Sequence, residues 1–140
     1  MTSIREQAIV AIVDQLASVG SFTVARNEVV PASVGEGGHV VVRDGTRLDS
    51  QMTLGVRSWW ITHRVVIEAQ AAGGDPDGAL DALLHAVDQA LAADLTLGGV
   101  VLSCTLDLDD IEVIAGDGAS AIKSALFGAI IEYETVNALD

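Results

Sequence analysis

At 140 residues and 14.5 kDa the chain is one domain long, and a chain of this size buries roughly 70% of the surface its unfolded form exposes, so it builds a core without staples. Half of the residues are hydrophobic and only 19% are charged, which excludes a disordered polymer and predicts either a large core or surface hidden in partners. Seven bases against twenty acids give a net charge of −13, with a single Lys; this excludes a nucleic-acid binder, which needs phosphate-neutralising Lys and Arg, and a polybasic membrane-surface role.

The first element is a helix over residues 4–19. Ser3-Ile4-Arg5-Glu6 fits a capping box, in which the Ser and Glu side chains satisfy orphan backbone donors. Ile9, Ile12, Val13 and Leu16 recur at helical spacing, and Gly20 supplies the left-handed stop. Phe22 to Arg26 alternates weakly and predicts a short strand.

Residues 27–58 read as a loop carrying an arm. Pro31 and Gly35-Glu36-Gly37-Gly38 break regular structure. Asp44-Gly45 between Val40-Val41-Val42-Arg43 and Thr46-Arg47-Leu48 predicts a small hairpin, because both central residues of such a turn need positive φ. A loop this long in a small domain is functional or ordered by a partner.

Trp59 to Ala69 is the clearest strand. Its odd positions (Trp59, Ile61, His63, Val65, Ile67, Ala69) are predicted core, and its even positions are mixed. Of Trp59 and Trp60, one is expected in the core and the other is a candidate interface anchor. Asp75-Pro76 opens a second helix with a good N-cap and Pro at the first helical position. Leu80, Leu83, Leu84, Val87 and Leu91 form its stripe, which runs to about Ala93. Val100 to Leu108 alternates with even positions apolar, Ile111 to Ile114 is another short strand, Gly116-Asp117-Gly118 is a turn, and Phe127 to Thr135 is the last strand. Helices and strands come in runs without β-α-β alternation. The expected fold is α+β: one domain over 1–140, a mostly antiparallel sheet with two helices on one face and an extended hairpin arm.

No motif carries chemistry. Gly116-Asp117-Gly118-Ala119-Ser120-Ala121 matches a dinucleotide pattern, but too few residues follow it for the rest of a nucleotide site. Asp107, Asp109, Asp110 and Glu112 splay along a strand rather than converge on a cation. His39, His63 and His85 have no metal-ligand spacing, and Cys104 between Leu102 and Leu106 reads as a packing residue. One Cys excludes an internal disulfide framework. The first residues hold an acid and no long apolar core, and no uncharged stretch is long enough to span a bilayer, so the chain is expected to be cytosolic when made. Charge is uneven: residues 1–70 carry six Arg and seven acids, net −1, while residues 71–140 carry Lys123 and thirteen acids, net −12.

The strand Trp60-Ile61-Thr62-His63-Arg64-Val65-Val66-Ile67-Glu68, the helix Ala79-Leu80-Asp81-Ala82-Leu83-Leu84, the phrase Ala92-Ala93-Asp94-Leu95-Thr96-Leu97-Gly98-Gly99-Val100-Val101 and the closing Ile130-Ile131-Glu132-Tyr133-Glu134-Thr135, in this order, resemble the tail terminator (tail completion) proteins of long-tailed bacteriophages and prophages. The similarity covers nearly the whole chain. It implies a structural virion protein without catalytic residues, metal or cofactor. Such a protein assembles as a ring, six subunits in that family, that caps the tail tube, ends tail polymerisation and docks to the head connector. It is made in the host cytoplasm and ends at the head-proximal end of the tail, with DNA passing through unbound. Arg43, Arg47, Leu48, Met52, Leu54 and Arg57 of the arm are the expected subunit interface, and Asp107, Asp109, Asp110 and Glu112 the expected channel-facing acids. Two other readings stand beside it: a head–tail joining ring protein, and a small ligand-binding or enzymatic α+β domain using the Asp cluster or His63.

Overall fold

The computed structural model of the chain describes residues 2–28, 34–35, 37–54, 57–115 and 122–140, with side chains given for all of these except 108–111, 114 and 115. Ser3 caps the first helix, α1 (Ile4–Ala17): its Oγ accepts the Glu6 N–H at 3.1 Å. The reciprocal half of the capping box is not made. The Glu6 carboxylate instead takes both terminal nitrogens of Arg26, at 2.5 and 2.7 Å. A bidentate charged pair outweighs a bond to one backbone N–H, and it ties the start of the helix to the next strand.

Five strands follow: β1 (Thr23–Arg26), β2 (His39–Met52), β3 (Trp59–Ala71), then after helix α2 (Pro76–Ala92) β4 (Ser103–Ala115) and β5 (Lys123–Thr135). They form one sheet in the order β1-β2-β3-β5-β4. Only β1 and β2 are parallel; the other three pairs are antiparallel. The fold is thus α+β with a mostly antiparallel sheet.

One face of the sheet holds the core. Ile61, Val65, Ile67 and Ala69 of β3 are fully buried, and so are Ala125, Ala129 and Ile131 of β5. Ile9, Ile12 and Leu16 of α1 and Leu80, Leu83, Val87 and Leu91 of α2 pack into the same cluster. Gln15 joins the helices by donating to the Ala90 carbonyl at 2.7 Å. Each buried side chain of this size contributes about 1.5–3 kcal/mol, so this two-layer contact dominates the stability of the fold.

Two sequence expectations are corrected. Asp44-Gly45 is not a turn. β2 runs through it without reversal, pairing with β3 from His39–Gln70 to Met52–Trp59, with register irregularities between Arg43 and Thr46 and between Arg47 and Asp49. Val40, Val41 and Val42 are fully buried, so the first part of the presumed arm is a central strand. Gly45 has φ +71°, and a Cβ there would stand 1.8 Å from the Arg64 carbonyl oxygen. The glycine permits a bulge pressed against β3, which is the other use of positive φ. The hairpin is therefore longer than expected, β2 against β3, and its loop closes with the Thr53 N–H on the Ser58 carbonyl at 2.9 Å. The second correction is that Ile111 to Ile114 is no separate strand: it continues β4 past an irregularity between Asp107 and Glu112. The predicted turn at 116–118 lies outside the described residues.

Candidate assembly surface

From Asp44 onward every residue of β2 is exposed. This distal half has β3 on one side, and among the described residues nothing pairs with its other side. Leu48, Met52, Leu54 and Trp60 all project here with large exposed areas, Leu54 fully so. Trp59 packs against the core cluster while Trp60 faces outward, as the alternation of β3 requires. The tip is rigidified by hydroxyls: Thr53 Oγ1 lies 2.5 Å from Ser58 Oγ, which donates to Glu134 Oε1 at 2.6 Å. Apolar groups held in place without a cover are the usual mark of a contact surface.

The arginines of this region behave differently from one another. Arg43 pairs with Glu68 of its own chain at 3.1 Å. Arg47 donates to the carbonyl oxygens of Ala138 and Asp140 at 2.7 and 2.6 Å, and Tyr133 Oη donates to the Asp140 oxygen as well. Arg47 thus fixes the 136–140 segment to the hairpin. Arg57 is exposed and has no partner among the described residues. Of the acids, Asp107 pairs with Arg64 at 3.3 Å, and Glu112 is exposed; the side chains of Asp109 and Asp110 lie outside the described set. By register Asp107 and Glu112 stand in rows with Val66 and Glu68, on the sheet face opposite the helices.

The remaining polar groups serve the fold. His63 is buried, Nε2 donating to the Asp44 carbonyl, and its Nδ1 has no partner among the described residues. Burial pushes its pKa below the usual imidazole value, and the nearby Arg5 and Arg47 charges add to this. Burial also raises the Cys104 thiol to about 11, so it is not a nucleophile at neutral pH. One arrangement escaped the sequence reading. Thr23 Oγ1 lies 2.5 Å from His39 Nδ1, and His39 Nε2 lies 3.0 Å from the Glu28 carboxylate. The three residues are 11 and 16 positions apart at irregular spacing, so only the fold reveals the series. A hydroxyl–imidazole–carboxylate relay needs a cleft with oxyanion donors to do acyl chemistry. The hollow at neighbouring Phe22 and Gly38 is lined by small and apolar side chains without a titratable group. The relay instead clasps the parallel β1–β2 pair, where the Thr23 N–H also meets the Gly38 carbonyl.

A cleft of about 630 Å³ between the start of α1, Ser58 and the 134–140 segment has polar walls, but Ser58 and Glu134 bond each other, as do Thr135 and Asp140. Among the described residues no group of three His, Cys, Asp or Glu is placed to hold a metal ion, and no helix is long and apolar enough to cross a membrane. The loop after α2 explains the phrase on which the sequence resemblance leans: the Asp94 carboxylate accepts from the Thr96 and Gly98 N–H groups at 3.1 and 2.7 Å, and Leu97, Gly98 and Gly99 all have positive φ. Comparison of the chain with protein-family models and with curated proteins gave no match.

Proposed function

We propose that the chain is a tail terminator subunit, a structural protein that closes into a ring at the end of a phage tail tube and presents the surface that meets the head. The observation that carries the reading is the far end of the β2–β3 hairpin, where Leu48, Met52 and Trp60 on the strands and Leu54 in the loop stand uncovered. A chain with so few charges gains by burying them in a neighbour at about 25 cal/mol per Å². The sequence resemblance given above supports the same reading, carried by the strand at 60–68, the helix at 79–84, the 92–101 phrase and the closing Tyr133-x-Thr135 strand.

On this reading the sheet face opposite the helices turns to the channel. Its rows carry Asp49, Glu68, Asp107, Glu112, Glu132 and Glu134 against Arg43 and Arg64. Surplus carboxylate repels phosphate and lets DNA slide. Among the described residues the acids are paired or spread along a sheet, and the one thiol is buried. The test is direct. Purified protein mixed with tail tubes should form rings at one tube end, visible by electron microscopy, and should stop further tube growth. Rings that bind isolated head connectors but never tubes would move the chain to the head–tail joining proteins. No ring on either would end the proposal.

A further inference from the structure

The register of the sheet sets two uncovered apolar patches level with each other at opposite edges. One row runs Arg47, His63, Ile131, Cys104, and the next runs Asp49, Thr62, Glu132, Ser103. Leu48 falls between these rows as the unpaired residue of a bulge in β2 and is 53% exposed; bulges re-aim side chains in this way. Met52, whose partner Trp59 packs on the core, projects on the helix-bearing face and is 61% exposed. At the other end of the same rows, also on the helix-bearing face, an apolar groove of about 270 Å³ lies between α2 and β4. Leu91, Ala92, Leu95, Cys104 and Leu106 line it, with Asp88 at the rim. Leu95 and Leu102 beside it are 50% and 49% exposed.

Strand directions agree with a contact between these patches. Three successive antiparallel pairings make β2 and β4 run in opposite directions. A second copy, rotated about an axis roughly along the strands, therefore brings its β2 edge antiparallel to the β4 edge of the first with no shift along the strand. A contact between unlike patches without rise is what a closed ring requires. Charge points the same way. The groove side carries Asp88 and Asp94, while Arg57 at the hairpin tip has no partner among the described residues. Two β4 edges facing each other would set acids against acids, which is destabilising.

We propose that the α2–β4 groove receives Leu48 from the hairpin of a second copy of this chain, repeated around the ring, with Met52 lying beyond the groove toward the hairpin tip. The contact deepens the ring reading above and rests on it for closure. The acidic stretch 107–112 takes no part in this contact, because it lies further along β4 and its described acids face the other side of the sheet. The test is cross-linking of a Leu48→Cys/Leu102→Cys variant, with buried Cys104 left in place, under mild oxidation at high protein concentration. Expected is a ladder of dimers, trimers and larger species; the two single variants should give dimers only when mixed. A Leu48→Asp variant, altered at an exposed site, should keep its unfolding midpoint and lose self-association at least tenfold. No adduct in the double variant, dimers from either single variant alone, or unchanged association of Leu48→Asp would each overturn the groove contact. Rings seen by microscopy without cross-links would overturn it while leaving the terminator reading intact. A cross-linked ladder that no tail tube recruits would support the groove and sink the terminator.

Discussion

A single methyl group distinguishes two glycines that the sequence presents alike. Gly20 and Gly45 both have positive φ, but a Cβ at Gly20 meets open space while one at Gly45 meets the Arg64 backbone. Gly20→Ala should cost about 1 kcal/mol, the conformational penalty alone. Gly45→Ala must also push β2 off β3 and should cost about 3 kcal/mol or more; denaturant unfolding of the pair of variants reads the difference, and equal costs would contradict the bulge. His63 gives a second residue-scale expectation. Its folded pKa is depressed by burial, so between that value and the unfolded value near 6.5 the unfolded state binds the extra proton. Stability is then complete above about pH 6.5 and falls as pH drops below it. His63→Leu should flatten the unfolding midpoint between pH 7 and pH 5.5. Glu6, lowered by its hydrogen bonds from Arg26, adds a loss of the same sign at lower pH, which His63→Leu leaves in place.

The hairpin is the element in which sequence and structure part. Period-two alternation correctly assigned the buried face of β3, and helical spacing the stripes of α1 and α2, because there the burial pattern itself is the signal. Asp44-Gly45 carried a turn signal of equal clarity that the fold overrode. A local turn would have paired Val40–Val42 only with the short Thr46–Leu48 segment, whereas pairing with β1 on one side and β3 on the other buries all three. The residues of the proposed contact are unequally legible. Exposed Leu48, Met52 and Leu54 could be named from an arm-like composition, but the groove by β4 joins Leu91, Leu95 and Leu106, which only the chain's return through the Asp94 loop brings together. Arg47, read as an outward-facing contact, is spent on the 136–140 segment for the same reason, since nothing local foretells a partner 91 residues away. If the hairpin acts as an independent arm, replacing residues 53–58 by Asn-Gly should leave the core intact, because Met52 still pairs with Trp59. The unfolding midpoint should move by no more than the lost Ser58–Glu134 bond allows, about 1–3 kcal/mol, while ring formation on tubes is lost with Leu54 and Arg57. Normal capping by this variant would remove the tip from the interface.

For the molecule as a whole, the distribution of charge is the property that separates a channel lining from a merely soluble surface. A net −13 keeps any small protein in solution, so the number alone is uninformative; its placement on one sheet face is not. Arg43 and Arg64 are tied to Glu68 and Asp107, which leaves Asp49, Glu112, Glu132 and Glu134 as surplus charge on the face opposite the helices. Duplex DNA carries one phosphate charge per about 1.7 Å of axis, so in the proposed ring such faces would repel it continuously along the passage. Glu112→Lys/Glu132→Lys changes each subunit from −13 to −9, since each replacement adds two charges to the starting value. Both side chains stand on the sheet face opposite the one that carries the α2–β4 groove, so rings should still cap tubes. What should change is passage: DNA ejection from reconstituted phage should slow, and the delay should shrink as salt is raised, because the added lysines bind phosphate through counterion release. Particles that assemble normally and eject at the original rate at all salt concentrations would place this face outside the channel, and the acids would then serve solubility alone.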